Sequence, residues 1–523
     1  MSVPLGQWLT IHSKRIGDRP ALVDVDTEVS YTFRELDERT TRLASSLRRR
    51  GVAAGDRVAL CSLNSPAMLE LMFALAKLGA ITVMINHRLT APEMHYILDD
   101  AGAKLAFAST PLLEVVSAAR QGTGIEEVIQ LLTAAERRAQ TRSDIEDLVS
   151  DGDPLEALPD VDPDSPALLM YTSGTTGRPK GAMITHTNLF WVSLYHNNVE
   201  AGINHHNRNL VAAPLFHIGG LAVYTLPTVY WGGSNYILEA FAPDTWATAV
   251  EKYACTTAFA VPTMWTAILR SGELEAHDTS SLQVAISGGA PCPIPVIEAL
   301  QAKGMAFIEG FGMTETAAAA AILSSEFITT KAGSIGKPSN HIDFRVVDDA
   351  GADVEANTVG ELIVRGPSVF SGYWNRSDAN TESFREGWFH TGDLARIDAE
   401  GFYYLVDRKK DMVITGGENV YPIEVEQALY THEAVADVSV IGTPHDYWGE
   451  AVTAIVVPTA GNENDAEALV KSLDSHARDT LAGFKTPRQY FFVESLPLTA
   501  TGKVRKVELR EWVKELTPSP SAQ

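Results

Sequence analysis

The stretch from Tyr171 to Gly181 reads Tyr-Thr-Ser-Gly-Thr-Thr-Gly-Arg-Pro-Lys-Gly and has the residue types of an anion cradle. Gly174 and Gly177 tolerate the backbone angles that turn successive amide N–H groups inward. Thr172, Ser173, Thr175 and Thr176 add hydroxyl donors and Lys180 adds charge, so donors outnumber acceptors and phosphate is the fitting ligand. The apolar runs Ala167 to Met170 and Ala182 to Ile184 make the surrounding geometry strand, loop, strand. A Walker loop requires Gly-Lys-Ser/Thr opening a helix; here Arg178-Pro179-Lys180-Gly181 follows Gly177, which rejects that reading. The plain alternative is a polar hairpin connection.

Further clusters follow in a definite order. Ser287-Gly288-Gly289-Ala290-Pro291 comes after one buried strand, and Glu309-Gly310-Phe311-Gly312-Met313-Thr314-Glu315 comes after another, Met305 to Ile308. Strand ends in open α/β sheets are where ligands sit. His390-Thr391-Gly392-Asp393 and Val406 to Asp411 supply carboxylates and cations, and Gly416-Gly417-Glu418-Asn419-Val420-Tyr421-Pro422 precedes a helix carrying Glu424 and Glu426. Thr499 to Lys503 is a flexible turn with one lysine. His205-His206 lacks a nearby carboxylate or cysteine cluster and reads as a solvated loop.

These groups need a scaffold, and the chain spells one. Thr32 and Glu35 form a capping box, after which Phe33, Leu36, Leu43, Ala44 and Leu47 recur at helical spacing up to Arg48-Arg49-Arg50-Gly51. Three arginines there offset the helix dipole and, without interleaved aromatics, do not mark a nucleic-acid patch. Val58 to Ser62, Pro66 to Leu78 and Ile81 to Ile85 read as strand, helix, strand, so the fold class is α/β. Asp151 to Ser165 is an acidic connection, Ala212 to Phe311 alternates strands with helices, and Thr517 to Gln523 reads as a disordered tail. No internal repeat is evident.

At 523 residues the chain expects two or more domains. Lys+Arg 42 against Asp+Glu 66 gives a net charge of -24, which disfavours nucleic acid and anionic membrane as partners. Three cysteines, Cys61, Cys255 and Cys292, form neither a disulfide framework nor a zinc motif and suit a reducing cytoplasm. No signal peptide or membrane span is read, so a soluble, cytoplasmic protein is expected.

In this order and over nearly the whole chain, the motifs resemble the acyl- and aryl-CoA synthetases of the adenylate-forming superfamily, nearest to fatty-acyl-CoA and 4-coumarate or feruloyl-CoA ligases. The resemblance implies a large N-terminal domain of α/β subdomains, residues 1–409, and a small mobile α+β C-terminal domain, residues 410–523, with a hinge at Lys410. It implies that a substrate carboxylate attacks the α-phosphorus of ATP, giving acyl-AMP and pyrophosphate, after which the acyl group passes to the CoA thiol. Thr172, Ser173, Gly174, Thr175, Thr176, Gly177 and Lys180 would hold the β- and γ-phosphates. Thr314 would hold an α-phosphate oxygen and Glu315 a magnesium ion. Phe311, with Gly289, Ala290 and Pro291, would wall the adenine, and Glu309, Gly310, Gly312 and Met313 would also belong to the ATP site. Phe311 replaces the commoner tyrosine and keeps the aromatic face without the hydroxyl. Asp393 and Arg408 would take the ribose side, Lys503 would bridge carboxylate and phosphate, and Gly416, Gly417 and Glu418 would guide the pantetheine arm.

The acid pocket implied by the resemblance involves His217, Gly220, Ser287, Gly288, Ala317 and Ala318. His217 would lie near the carboxylate, a structural histidine being the alternative. The run Thr316-Ala-Ala-Ala-Ala-Ala321 removes bulk, which predicts room for a bulky aromatic or medium- to long-chain acid, unless these alanines merely pack a helix. The partners expected are the acid, ATP and CoA, and the assembly allowed for is a homodimer. Alternatives are an adenylate-only ligase, or a stand-alone enzyme loading a carrier protein. Amino-acid adenylation modules are disfavoured because Phe216-His217 lacks the aspartate that pairs a substrate amine and no carrier domain follows Lys503. A luciferase-like oxygenase shares the scaffold, whereas a non-enzymatic binder is expected to have lost Lys503, Glu315 or Asp393.

Overall fold

The computed structural model describes residues 2–139, 143–153, 159–172, 178–195, 200, 202–408, 411–445, 447–461, 465–498 and 504–516. Two compact units emerge, Met1–Asp343 with Val364–Phe389, and Phe344–Ile363 with His390–Gln523.

The first unit contains two sheets. One runs in the order Glu127–Leu131, Leu105–Ser109, Arg57–Cys61, Ile81–Met84, Pro166–Thr172, Lys180–Thr185. Its strands are parallel except for the closing hairpin, where Thr172 faces Lys180 across the loop. The two strands predicted on either side of the loop are therefore present. The strands are buried on both faces and so carry apolar runs rather than alternation. Pro66–Leu78 is the helix of the predicted strand, helix, strand unit, opened by Ser65 and Pro66 and stopped by left-handed Gly79. It is buried all round, so its two charges are paired within the fold: Glu70 with Arg39 at 3.0 Å and Lys77 with Asp37 at 2.7 Å. The capping box forms as expected, Thr32 N donating to Glu35 Oε2 and Glu35 N to Thr32 Oγ1.

The second sheet has the order Lys337–Pro338, Ala318–Leu323, Ala306–Met313, Val284–Gly288, Thr257–Ala260, Arg208–Val211, Ser234–Ile237, Pro20–Asp24, Ser30–Thr32. The strand expected to end at Ile308 continues to Met313, because Ala318–Leu323 returns antiparallel beside it and supplies partners for Glu309 through Met313. The Asn64 amide joins the two sheets, donating to Ala213 O at 3.0 Å and accepting from Leu215 N at 2.8 Å. Buried Asn64 thus supplies the backbone partners that a neighbouring strand would, and fixes the approach to Phe216-His217.

In the second unit, Val435–His445 and Gly449–Pro458 form a long antiparallel pair, flanked by the small hairpin Val413–Thr415 and Glu418–Val420 and by Gln489–Phe492. The helices Pro422–Tyr430 and Ala466–Thr480 cover a core of Val425, Leu429, Val440, Val452, Val470 and Tyr490. An antiparallel pair with helices is the α+β layout expected of this part. The expected hinge, Lys410, lies outside the described residues.

Candidate active site

Ser173, Gly174, Thr175, Thr176, Gly177 and Lys503 lie outside the described residues, so the site is built from the elements that frame them. Strand Lys180–Thr185 has a free outer edge, and the segment Ser371 to Trp374 binds along it. Met183 N donates to Gly372 O at 2.9 Å and Trp374 N to Gly181 O at 2.8 Å. Edge pairing of this kind fixes register, and it delivers Tyr373 to the mouth of the loop. The Tyr373 hydroxyl donates to Glu315 Oε1 at 2.8 Å, while Lys180 Nζ lies 5.3 Å from the ring centroid. Thr172 Oγ1 contributes a longer hydrogen bond to the same Oε1, 3.4 Å. One phenol therefore spaces the lysine from the carboxylate, and the predicted Thr172, Lys180 and Glu315 converge. Tyr373 was not foreseen: an aromatic in Gly-Tyr-Trp carries no local signal of a contact 58 positions away.

Glu315 is 7% exposed, and its backbone carbonyl accepts from Phe370 N. Its Oε2 makes no hydrogen bond among the described residues. A carboxylate held by one oxygen and open at the other, beside a phosphate-type loop, suits a hard divalent cation such as magnesium. Thr314 precedes it in a single 3-10 turn, Thr314–Thr316. Thr316 Oγ1 accepts from Met313 N at 3.0 Å and lies 3.1 Å from Ala318 O, closing the turn. Ala317 and Ala318 consequently adopt φ of 53° and 92°, conformations that cost an L-residue about 1 kcal/mol or more. The alanines do not form a helix: Ala318 opens a strand, and Ala317 through Ala321 are all buried.

The residues expected at the adenine side of the ATP site take two places. Gly310 pairs with Gly288, Phe311 with Ala321 and Met313 with Ala318, with a bulge between Phe311 and Gly312. Gly289, Ala290 and Pro291 form an exposed turn after Val284–Gly288. Glu309 does not present its carboxylate to that surface: it is buried, and its Oε1 accepts from Cys292 N at 2.7 Å, holding the turn in place. Burial pushes its pKa up to about 7, the Cys292 N–H opposing the shift only in part. Since the folded state raises the pKa from 4.5, it binds more protons than the unfolded chain between those values. Stability contributed by protonated Glu309 is then lost as pH rises from about 4.5 to about 7. The expected loss is on the order of 3 kcal/mol. Glu309→Gln should flatten that segment of the stability profile, checked by chemical denaturation of both proteins across the window. Parallel profiles would remove the carboxyl from the account.

His217 caps the short helix Ile218–Gly220, its Nδ1 accepting from Gly219 N at 3.1 Å. That bond places the ring proton of a neutral imidazole on Nε2. Gly220 ends this helix and leads into a π-type turn, Leu221–Thr225, which packs against both Thr257–Ala260 and the alanine strand. Wide π turns in otherwise regular helices recur at functional sites. Ser287 and Gly288 end the neighbouring strand, both buried. The predicted acid-pocket residues are thus distributed over adjoining elements of one sheet.

In the second unit, Asp393 stands directly across an antiparallel ladder from Arg408. Asp393 is buried, and its N–H donates to Thr391 Oγ1, which donates in turn to Leu362 O. Gly416 and Gly417, at φ of 60° and 87°, make the tight turn between Val413–Thr415 and Glu418–Val420. Positive φ at both central residues is the hairpin geometry matched to strand twist, which is why two glycines occur there. Gly416 N donates to Trp448 O, pinning the turn, and Glu418 is exposed.

The family model described as AMP-binding enzyme matches residues 9–374, and that of the AMP-binding enzyme C-terminal domain matches residues 424–503. A feruloyl-CoA synthase of Amycolatopsis sp is 40% identical over 506 residues, covering 97% of this chain and 98% of that protein. An indoleacetate–CoA ligase of Aromatoleum aromaticum is 34% identical over 515 residues, with coverage of 98% and 99%. The o-succinylbenzoate CoA synthetase of Bacillus subtilis, solved with its acyl-adenylate intermediate, superposes with a TM-score of 0.85 at 30% identity, covering 99% of this chain and 100% of that one. The same enzyme solved with ATP and a magnesium ion gives 0.85 at 31%, with coverage of 98% and 100%.

Proposed function

Because the chain belongs to the AMP-binding enzyme family, we propose that its site joins a bulky, largely aromatic carboxylic acid to CoA in two steps. It is an AMP-forming acid–CoA ligase, with ATP and CoA as substrates. The observation that carries the reading is the convergence of Thr172, Lys180, Tyr373 and Glu315 at the base of the phosphate-type loop.

In the first step a carboxylate oxygen forms a bond to the α-phosphorus, and the α to β bridging bond breaks, its electron pair leaving with pyrophosphate. Two anions must approach, so the protein's main task is to offset charge before they meet. Lys180 and the loop N–H and hydroxyl groups hold the departing phosphates, and Thr314 hydrogen-bonds the α-phosphate. Glu315 would hold magnesium, which would supply further neutralisation of the phosphates. Lys503 bridges the reacting pair, and Asp393 with Arg408 orients the ribose. In the second step the C-terminal domain, turning at Lys410, withdraws Lys503 and brings Gly416-Gly417-Glu418 to the adenylate, so that the CoA thiol displaces AMP. The working boundary is residues 1–409 against 410–523.

An aromatic acid is favoured by the elements around the predicted pocket: the buried alanine strand, the buried π-type turn and the half-buried His217 cap. Feruloyl, indoleacetyl and o-succinylbenzoyl groups in the relatives' names are all aromatic. No helix among the described residues is long and apolar enough to cross a membrane, and Cys61, Cys255 and Cys292 are free and buried. A cytoplasmic enzyme accords with both, and a homodimer is the assembly proposed. Pyrophosphate release measured across fatty, aromatic and polycyclic acids, with and without CoA, tests the proposal. Thioester formation with cinnamate-like acids is expected; preference for acetate or propionate would refute the spacious pocket, and adenylate accumulation without thioester would refute CoA as acceptor.

A further inference from the structure

Behind the phosphate-type loop lies a cleft of about 540 Å³ lined by Tyr96, Asp99, Asp100, Arg178, Lys180 and Arg376. Its walls are built by a polar clamp. Asp100 Oδ2 accepts from the Tyr171 hydroxyl at 2.8 Å, and its Oδ1 pairs with Arg376. Arg376 also donates to the Tyr96 hydroxyl, which donates to Pro179 O at 3.1 Å. The clamp therefore grips both ends of the loop, Tyr171 and Pro179, and within it the charges of Asp100 and Arg376 offset each other.

Two cations remain. Arg178 is exposed and meets no carboxylate among the described residues; its guanidinium rests 5.3 Å from the Tyr96 ring centroid. Lys180 likewise forms no ion pair among the described residues. Among the described residues that line the cleft, the one carboxylate not paired with Arg376 is the exposed Asp99. In a chain of net charge -24, a cleft whose unpaired charges are mainly positive is a local exception that suits a small polyanion. The volume holds a hydrated diphosphate, a water occupying about 30 Å³.

We infer that this cleft receives pyrophosphate as it leaves the phosphate loop, with Arg178 and Asp99 setting its affinity. The inference rests on the ligase reading, which makes pyrophosphate the first product. Lys180 lines the cleft and pairs with Thr172 at the foot of the loop, so it links the cleft to the phosphate-type segment. Arg178 occupies the position between Gly177 and Pro179, where the turn itself requires no particular side chain. Its charge is a property of this sequence.

The test is direct binding of inorganic pyrophosphate to the resting enzyme by calorimetry at low salt, paired with product inhibition of adenylate formation. Arg178→Ala should raise both the Kd and the inhibition constant for pyrophosphate about 5-fold while KM for ATP stays within about 2-fold, a size usual for one exposed charged contact. Arg178→Lys should keep most of the affinity. Asp99→Asn should shift both constants about 2-fold the other way, because it removes a like charge. Inorganic phosphate, with less charge and reach, should bind weakly to all variants. Unchanged pyrophosphate constants in Arg178→Ala would overturn the inference, as would a parallel rise in KM for ATP or the same direction of change in Asp99→Asn. Calorimetric binding needs no acid substrate, so a protein that binds pyrophosphate here yet forms no adenylate would fail the ligase reading alone.

Discussion

Replacing Lys503 with alanine is expected to slow acyl-adenylate formation by about 10²- to 10³-fold while leaving thioester formation from supplied acyl-AMP and CoA within a few-fold of the parent. The reason is the charge change along the reaction. A carboxylate and a triphosphate repel each other on approach, and negative charge concentrates around the α-phosphorus in the transition state. An ammonium fixed between them helps most at that point, so its loss falls on kcat of the first step. In the second step the thiol attacks a neutral carbonyl carbon and the lysine has no such task. Lys503 itself lies outside the described residues, but the base of its turn is secured. Leu498 and Val504 form a β-bridge, Arg505 N donates to Pro497 O at 2.8 Å, and the helix Lys506–Glu515 that follows buries Leu509. Arg510 of that helix pairs with Asp411 at 3.0 Å. Two assays decide the matter: pyrophosphate release, and CoA thioester formation from synthetic acyl-AMP. Equal losses in both would make Lys503 a folding residue, and no loss in the first would sink the assignment.

Gly312→Ala is expected to destabilise the protein by more than about 4 kcal/mol, because the added methyl meets backbone rather than a side chain that can rotate away. A Cβ at Gly312 would stand 1.2 Å from Ala318 O and 2.3 Å from Ala318 C. The closeness follows from the bulge between Phe311 and Gly312, which presses the strand toward its antiparallel neighbour. Ala318 cannot retreat without disturbing Ala317 and the Thr316 hydroxyl that ties the turn together, and Glu315 sits in that turn. Thermal unfolding should fall by roughly 4 °C or more, with loss of pyrophosphate release. Gly351→Ala is the control: at φ of 80° with no atom within 4 Å of its Cβ, it should cost only about 1 kcal/mol. If Gly312→Ala melted no lower than Gly351→Ala, the close approach would not matter.

Much of the candidate site was legible in residue order because its chemistry is concentrated in short segments. The loop from Thr172 to Lys180, the acidic turn at Glu315 and the Gly416-Gly417 turn each carry their signal within a few residues: hydroxyls and a lysine of anion-binding type in the first, a carboxylate in the second, and glycines at positive φ in the third. The same locality made the capping box at Thr32 and the helix Pro66–Leu78 readable, since caps and helix stops act within one turn. Two strands read shorter or differently than they are. Ala306–Met313 extends beyond Ile308, and the alanine run is a strand, because the two segments pair with each other as an antiparallel hairpin, which overrides a local pattern that alanine leaves ambiguous.

By itself the sequence pointed to the reaction class of this protein, because the ordered motifs resemble those of the adenylate-forming CoA synthetases and each motif is a short local segment. Only the tertiary structure decided which side chains support them. Tyr373 reaches Glu315 because an edge strand captured its segment, Asn64 ties two sheets together ahead of His217, and Glu309 turned from a presumed ligand contact into a buried support for the Cys292 turn. The physical reason is range. A turn or a cap is fixed by neighbours along the chain, whereas a hydrogen bond between residues 58 or 149 positions apart exists only once packing has placed both partners beyond the reach of water.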